Sequence, residues 1–506
     1  MRGLDFLGRI FAKTAGPSMS QYYTSLDHLA LLPAMLLALF GCAILLFDFW
    51  VFPEKKYKKG LLLVLIAGLA FTGYALWNQM IFMMTQGAPL GAFHDSLVID
   101  GFSLFFNWLF LIASLIVALF SYRYLEIEGE PQAEYYGLIL LAQCGMFFLA
   151  SGEDLITLFI GLELMALCFY IMVGFLRRDK RSNEAAMKYL LLGAFSSGFL
   201  LYGFSLLYGL AGSTRLISIT AAIASRPAGD PVVILALATT AVGLLFKISA
   251  VPFHMWTPDA YEGAPTPITA YLSVASKAAS FAFLLRIFLG PLSPVHDLWK
   301  PMLAAVAVAT MTVGNLAAIS QNNVKRLLAY SSISHAGYML LGLVAGNETG
   351  IKGIAVYLMV YTFMNLGAFL VLVSLRREGV MGEDLEDLSG LIHKNPVYAI
   401  LMLVFLLSLA GIPPTAGFLG KYYIFLSLIE TGHFVLAVVA VLYVAVAIYY
   451  YFRIVRSMFI SKQASEEPLA TSFGLRLALG ITAVMTLGMG IYPEPFLRLA
   501  QGSLFR

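Results

Sequence analysis

Residues 236–290 read ALATTAVGLLFKISAVPFHMWTPDAYEGAPTPITAYLSVASKAASFAFLLRIFLG, and this stretch decides the fold. Lys247 and Lys277 sit in otherwise apolar runs. At a bilayer centre each lysine costs about 2.5–3.5 kcal/mol on insertion scales. Pro252 lies between them. Its ring removes a backbone donor and crowds the carbonyl of Ile248, four residues back, so the helix carrying Lys247 is expected to break just beyond that lysine. A broken helix at membrane depth is tolerated only where protein buries it or where it lines a watery cavity. A costly cation beside a broken helix points to an ion or proton path. The plainer alternative is that both lysines snorkel to the headgroups, or that the segments are soluble core helices. Intramembrane charges default to the functional reading.

The composition agrees with a membrane setting. Of 506 residues, 60% are hydrophobic and only 12% charged, against roughly 25% charged in a soluble domain. The chain reads as an all-α polytopic membrane protein in a lipid bilayer. Its net charge of +3 gives no nucleic-acid footprint. Cys42, Cys144 and Cys168 all lie in apolar runs, without metal-ligand spacing or a closed disulfide framework. Three cysteines are too few for a four-cysteine iron–sulfur cluster. There is no dinucleotide fingerprint and no phosphate-binding loop. The chain is expected to hold no redox cofactor and no metal.

Residues 1–28 are polar and mixed, with Arg2, Arg9 and Lys13. They lack the order of a cleaved signal and read as an extension. Apolar runs long enough to span then follow, near 29–52, 60–84, 101–122, 134–151, 154–176, 184–212, 231–262, 267–290, 300–320, 325–345, 351–375, 397–430, 434–460 and 471–493. That makes about fourteen spans, the seventh and twelfth broken. One set of loops carries Lys55, Lys56, Lys58, Lys59, Arg177, Arg178, Lys180, Arg181, Lys325, Arg326, Arg376, Arg377, Lys394, Arg453, Arg456 and Lys462. The other has roughly half as many. The first side is therefore expected to be cytoplasmic and both termini to face outward, periplasmic in a bacterial inner membrane. These loop charges read as solvated residues that orient the protein.

The second broken span echoes the first. In LAGIPPTAGFLGKYYIF, Pro413 and Pro414 precede Gly417, Gly420 and Lys421. Two interrupted apolar segments, each with a lysine by the break, point to an internally repeated transporter. Residues 134–290 (helices 4–8) and 291–462 (helices 9–13) would be two inverted five-helix repeats. Residues 29–133 would be flanking helices 1–3, and 463–506 helix 14 with its tail.

Glu163 lies in DLITLFIGLELMALCFYIMVGF, about nine residues into the fifth span and near mid-membrane at about 1.5 Å per residue. A carboxylate beside a buried ammonium holds the lysine's proton, and moving it away lets desolvation release that proton. The alternative for Glu163 is a static ion pair. His335, in LLAYSSISHAGYMLLGL, is halfway down the tenth span. A histidine titrates near neutral pH and could relay protons between lysines; a satisfied core histidine fits equally well. His254, just past Pro252, is a secondary candidate of the same kind. Tyr271, Ser273 and Ser276 stand near Lys277 and fit either ordered water or a packing face. Tyr449–Tyr451 reads as interfacial or packing aromatics.

The strings WTPDAYEGAPTPITAYLSVASKAA, VKRLLAYSSISHAGYM, LAGIPPTAGFLGKYY and GLELMALCFYIMVGF resemble subunit N of proton-pumping NADH:quinone oxidoreductase, respiratory complex I. The resemblance runs from about residue 29 to the C-terminus, and only the extension departs from the usual bacterial pattern. The related subunits L and M and the Mrp-type antiporter subunits usually have Leu where this chain has Thr257, and a Glu-ended variant of subunit M contrasts with Lys421. The resemblance implies a fourteen-helix antiporter-like fold and proton translocation. It implies that Glu163 and Lys247 form the family's ion pair, that Lys277 bridges, that His335 lies on the polar axis, and that Lys421 releases the proton. Protons would arrive from the cytoplasm near Lys247 and leave outward near Lys421. The resemblance also places NADH, FMN, iron–sulfur clusters and quinone in partner subunits, with subunits M and K as neighbours. Two other classes remain open: a Na⁺/H⁺ antiporter subunit of the Mrp type, and a quinone-binding membrane subunit, for which the sequence shows no motif.

Overall fold

The computed structural model describes residues 23–51, 59–227, 229–376, 382–460 and 471–502. The extension up to residue 22, and with it Arg2, Arg9 and Lys13, lies outside the described residues, as do Lys55, Lys56, Lys58, Arg377 and Lys462. The helices are α1 (Ser25–Trp50), α2 (Lys59–Gln86), α3 (Gly101–Glu128), α4 (Gln132–Ser151), α5 (Leu155–Val173), α6 (Lys180–Ala211) and α7 (Leu216–Ala224). They continue with α8 (Pro231–Lys247), α9 (Trp256–Gly263), α10 (Thr266–Leu289), α11 (His296–Ile319), α12 (Val324–Ala345) and α13 (Glu348–Leu375). The last are α14 (Leu391–Lys394), α15 (Pro396–Ala410), α16 (Ala416–Glu430), α17 (Phe434–Ile460), α18 (Phe473–Ile491) and α19 (Glu494–Gly502). A two-stranded antiparallel hairpin, β1 (Leu90–Ala92) and β2 (Leu97–Ile99), pairs Leu90 with Ile99.

Twelve helices among the described residues are long and apolar enough to cross a membrane. The expected seventh and twelfth spans are each split in two, α8 with α9 and α15 with α16. The first span begins earlier than expected: Thr24 caps α1 reciprocally with Asp27, as Ser/Thr and an acidic third residue do at a helix start. Asparagine or aspartate side chains accept from first-turn amides at the starts of α5, α8, α12 and α15, with Pro at the first helical position of α8 and α15. Those positions leave helix amides that would otherwise lack a partner, and side-chain oxygens supply one.

The packing repeats along the chain. Helix α4 packs most closely on α5, and α11 on α12; α6 packs on both halves of the first broken span, α8 and α9, and α13 on both halves of the second, α15 and α16. The contacts are tight because small residues let backbones meet. A Cβ on Gly145 of α4 would lie 2.5 Å from the Met165 nitrogen of α5, and one on Gly314 of α11 would lie 2.7 Å from the Ser334 nitrogen of α12. Helices α10, α12 and α13 are buried along nearly their whole length. Lys277 and His335 therefore face protein rather than lipid.

The loop charges are only partly solvated. Arg177, Arg178 and Arg181 are exposed, as expected. Lys325 and Arg326 correct that reading. Lys325 is buried, paired with Glu383 at 2.9 Å and bonded to the Ala264 carbonyl at 2.7 Å. Arg326 binds Asp259 and Glu262, both at 2.8 Å, and Lys188 binds Asp259 from α6 at 2.8 Å. The acidic residues of WTPDAYEG thus lash α9 to α12 and α6 at one end of the bundle. At the other end, beside the hairpin, Arg286 is buried between Asp100 at 3.1 Å and Glu153, and donates to the Ala150 carbonyl at 2.7 Å. Burial pushes the Glu153 carboxyl up from the ordinary carboxylate range, against the pull of Arg286.

Candidate functional site

Helix α8 ends at Lys247, as Pro252 requires. Ser249 takes a left-handed conformation with φ 64°, which is costly for a residue with a Cβ and persists only where neighbours hold it. Its hydroxyl accepts from Thr257 at 2.6 Å, and the Val251 amide donates to Thr310 of α11 at 3.0 Å. The Phe246 carbonyl accepts from the Ser249 amide at 3.0 Å and from Trp256 Nε1 at 3.0 Å. The side chains of the WTP motif therefore hold the break open. Thr257, which set this sequence apart within the family it resembles, is one of those props.

Lys247 is 5% exposed, and its amine donates to the Tyr170 hydroxyl at 3.5 Å. Glu163 on α5 accepts a 2.6 Å hydrogen bond from Ser197 of α6. The two groups expected to pair lie on helices that each pack on α6, but no carboxylate comes within 4.0 Å of the Lys247 amine among the described residues. His254 lies in the break, half-buried, and its Nδ1 has no hydrogen-bond partner.

Lys277 follows a π-helical turn, Leu272–Ser276, in the middle of α10. Such turns re-aim a side chain and are frequent at functional sites. The amine points to α12, donating to the Ser332 carbonyl at 2.7 Å and to its hydroxyl. The Tyr261 hydroxyl lies 3.5 Å from the same Ser332 oxygen. The next residue back, Ser331, shares a short hydrogen bond with Tyr451 of α17. Tyr451 lies 3.1 Å from His335 Nε2, and Tyr357 of α13 lies 2.6 Å from His335 Nδ1. A row of hydroxyls thus lies between Lys277 and His335, in two hydrogen-bonded runs that meet at the adjacent residues Ser331 and Ser332. Tyr271 and Ser273 stand aside from it: Tyr271 bonds Ser114 at 2.7 Å and Ser273 accepts from Asn365 at 2.6 Å, while the backbone carbonyl of Ser276 accepts from Ser280 at 2.8 Å.

Lys421 completes the row at the second break. Its amine donates to the carbonyls of Leu409, at 3.1 Å, and Ala410, at 2.7 Å, which the interrupted helix α15 leaves free. It also lies 5.2 Å above the Tyr338 ring, a cation–π distance, and Tyr338 packs edge-on against His335. Gly411 makes the close approach possible: its φ is +84°, and a Cβ there would meet the Lys421 side chain at 2.7 Å. Pro413 and Pro414 separate α15 from α16. The two breaks are not equivalent. Lys247 is the last residue before its break, whereas Lys421 stands in α16 beyond its own and reaches back across it.

Sequence reasoning missed Tyr170, Ser197, Ser331, Ser332, Tyr357 and Tyr451. Ser331, Ser332 and His335 had a signal, since residues three and four apart share a helix face. Within Tyr449–Tyr451, read as interfacial or packing aromatics, Tyr449 is exposed while Tyr450 and Tyr451 are fully buried, and Tyr451 also touches the histidine. Arg286 had a signal too, a cation in an apolar run.

Residues 152–447 match the family described as NADH:quinone oxidoreductase/Mrp antiporter, TM. A relative from Solibacter usitatus (strain Ellin6076), named NADH-quinone oxidoreductase subunit N 2, is 70% identical across 96% of this chain and 99% of its own length. A chain of respiratory complex I from Thermus thermophilus with bound aureothin superposes with a TM-score of 0.76, at 35% identity, covering 93% of this chain and all of that one. A chain of the Mrp complex from Dietzia sp. DQ12-45-1b shares the fold, with a TM-score of 0.79 at 22% identity over 95% of this chain and 97% of that one. The chain therefore belongs to the NADH-quinone oxidoreductase subunit N family, the antiporter-like membrane-arm subunits of respiratory complex I.

Proposed function

We propose that this chain carries one proton path of a redox-driven pump, running from Glu163 and Lys247 through Lys277 and His335 to Lys421. The observation that carries the reading is a pair of hydrogen-bonded runs that meet at adjacent residues of α12, one from Lys277 to Ser332 and one from Ser331 through Tyr451 to His335 and Tyr357. Each hydroxyl can accept one proton while donating another, and a neutral imidazole has one donor and one acceptor nitrogen. Such a row passes a proton without moving a heavy group far. Buried ammonium groups that lack a carboxylate are costly to keep charged, so the row favours passing charge along over storing it.

In this reading the two halves, 134–290 and 291–462, act as inverted repeats, supported by the matched packing of their helices. Both described ends of the chain lie at the hairpin end, where Asp27 meets the Phe93 amide and Arg498 and Gly502 border the same cavity as Asp100. That end is periplasmic, in a bacterial inner membrane, and protons arrive from the opposite, lysine- and arginine-rich side. NADH oxidation on FMN and iron–sulfur clusters, and quinone reduction, belong to partner subunits. The neighbours are another antiporter-like subunit of the M type and a small one of the K type. The experiment is Lys421→Ala in the intact complex, with membrane potential and complex content measured together. The reading expects an assembled complex that pumps on the order of tenfold less, equivalent to about 1.4 kcal/mol of barrier. Full pumping in an assembled variant removes Lys421 from the path, and pumping that requires sodium favours the Mrp-type alternative.

A further inference from the structure

The face that α6 turns toward α5 carries two features one turn apart. Gly193 leaves a notch: a Cβ there would lie 2.0 Å from the Tyr170 hydroxyl and 2.7 Å from its Cζ. Four residues on, Ser197 donates its 2.6 Å hydrogen bond to Glu163 Oε1. Positions four apart share a helix face, and Glu163 and Tyr170, two turns apart on α5, share one as well. The Tyr170 hydroxyl, seated in the notch, stands 3.5 Å from the Lys247 amine. The carboxylate thus has a neutral partner and the amine has a different one.

We propose that Ser197 and Tyr170 are positioning residues that hold Glu163 and Lys247 apart, so that the ion pair forms only when both of these hydrogen bonds are given up. The proposal rests on the proton-path reading and deepens it. A hydroxyl bonded to a carboxylate is a charge-assisted bond, while a buried ion pair offsets its attraction with desolvation. The two arrangements are therefore close enough in free energy for a modest push from a neighbouring subunit to exchange them. The titratable groups at this corner are Glu163 and Tyr170 from α5, Tyr189 from α6, whose ring lies 4.6 Å from that of Tyr170, and Lys247 from α8. Helix α9 brings Trp256, which does not titrate and stacks on Tyr189 at 4.3 Å, and the titratable Tyr261, whose ring lies 6.5 Å from that of Trp256. Helix α10, which also packs on α8, brings Lys277.

The test compares Ser197→Ala, Ser197→Thr and Glu163→Gln in the intact complex, reconstituted in liposomes at equal content. Proton pumping driven by NADH and quinone is recorded from pH 6 to pH 9. Without the Ser197 hydroxyl, Glu163 turns to Lys247 and the lysine gives up its proton less readily. The acidic limb of the pumping profile should move to higher pH by about one unit, the equivalent of one hydrogen bond to a charged group. Pumping at pH 7 should fall several-fold and recover at higher pH, and Ser197→Thr should restore the original profile. If Ser197→Ala fails to assemble, Ser197→Cys, a weaker donor, carries the same expectation. A profile that does not move, or a rate that falls equally at every pH, overturns the proposal. If Glu163→Gln abolishes pumping while Ser197→Ala leaves the profile in place, the latch is wrong and the path stands. If Glu163→Gln pumps at the full rate, the path has failed at this corner and the latch with it.

Discussion

His335 Nδ1 and the Tyr357 hydroxyl are 2.6 Å apart, and on the other side of the ring Tyr451 stands at 3.1 Å. An imidazole bonded at both nitrogens can take a proton at one and release one from the other. Tyr451 is the link back to Ser331, next to the Ser332 that Lys277 holds. Tyr451→Phe should keep the packing and remove that link, lowering pumping on the order of tenfold. Tyr449→Phe, which alters an exposed ring, should leave pumping unchanged. The check is proton uptake into liposomes carrying equal amounts of each complex; equal pumping by Tyr451→Phe would make Tyr451 a packing residue.

Arg286 ties α10 to the start of α3 and to the α4–α5 turn through Asp100 and Glu153. Removing one partner of a buried ion pair leaves the other charge uncompensated, at a cost of about 3–5 kcal/mol. Arg286→Ala should therefore lower the amount of intact complex and its thermal midpoint. Glu153→Gln should be far milder. Burial raises the folded carboxyl above its unfolded value, so between those two values the folded state binds more protons. The contribution of Glu153 to stability is then present at low pH and lost as pH rises through the raised value. A neutral glutamine gives up little at neutral pH. Thermal denaturation of both variants decides this, and equal damage from the two would contradict it.

Gly490 of α18 sets the position of the second break. A Cβ there would lie 2.1 Å from the Pro414 carbonyl oxygen and 2.8 Å from the Ala416 nitrogen. Both are backbone atoms, so the break must shift. Gly490→Ala should displace the carbonyls that hold Lys421 and reduce pumping on the order of tenfold, with the complex still assembled. Gly488, whose added Cβ would meet nothing within 4 Å, provides the control: Gly488→Ala should pump normally. Equal pumping by the two variants would show that α18 does not position the break.

Much of the site was legible because its signals are local. Pro252, Pro413 and Pro414 fall at the helix breaks, whereas Pro33 and Pro301 are carried inside α1 and α11, and Lys247, Lys277, Lys421 and Glu163 are conspicuous against apolar runs. The same logic should have flagged Arg286, which sits in LLRIFLG. What was hidden depends on tertiary placement. Nothing in VAIYYYFRIV tells which of three tyrosines turns inward to His335. The π turn before Lys277 has no sequence signature of its own. Lys325 and Arg326 read as loop charges because their partners, Glu383, Asp259 and Glu262, come from distant segments. The reach of Lys421 back to Leu409 and Ala410 follows from the geometry of the break, which spacing alone does not give.

The central claim is that protons cross this subunit through Lys277, at the middle of the row. The direct measurement is pumping by Lys277→Ala in the reconstituted intact complex, beside NADH oxidation by ferricyanide, an acceptor that bypasses the membrane arm. Lys277→Ala should give equal complex content, unchanged ferricyanide reduction, and quinone-linked pumping lowered on the order of tenfold or more. An assembled Lys277→Ala complex that pumps at the unmodified rate would contradict it.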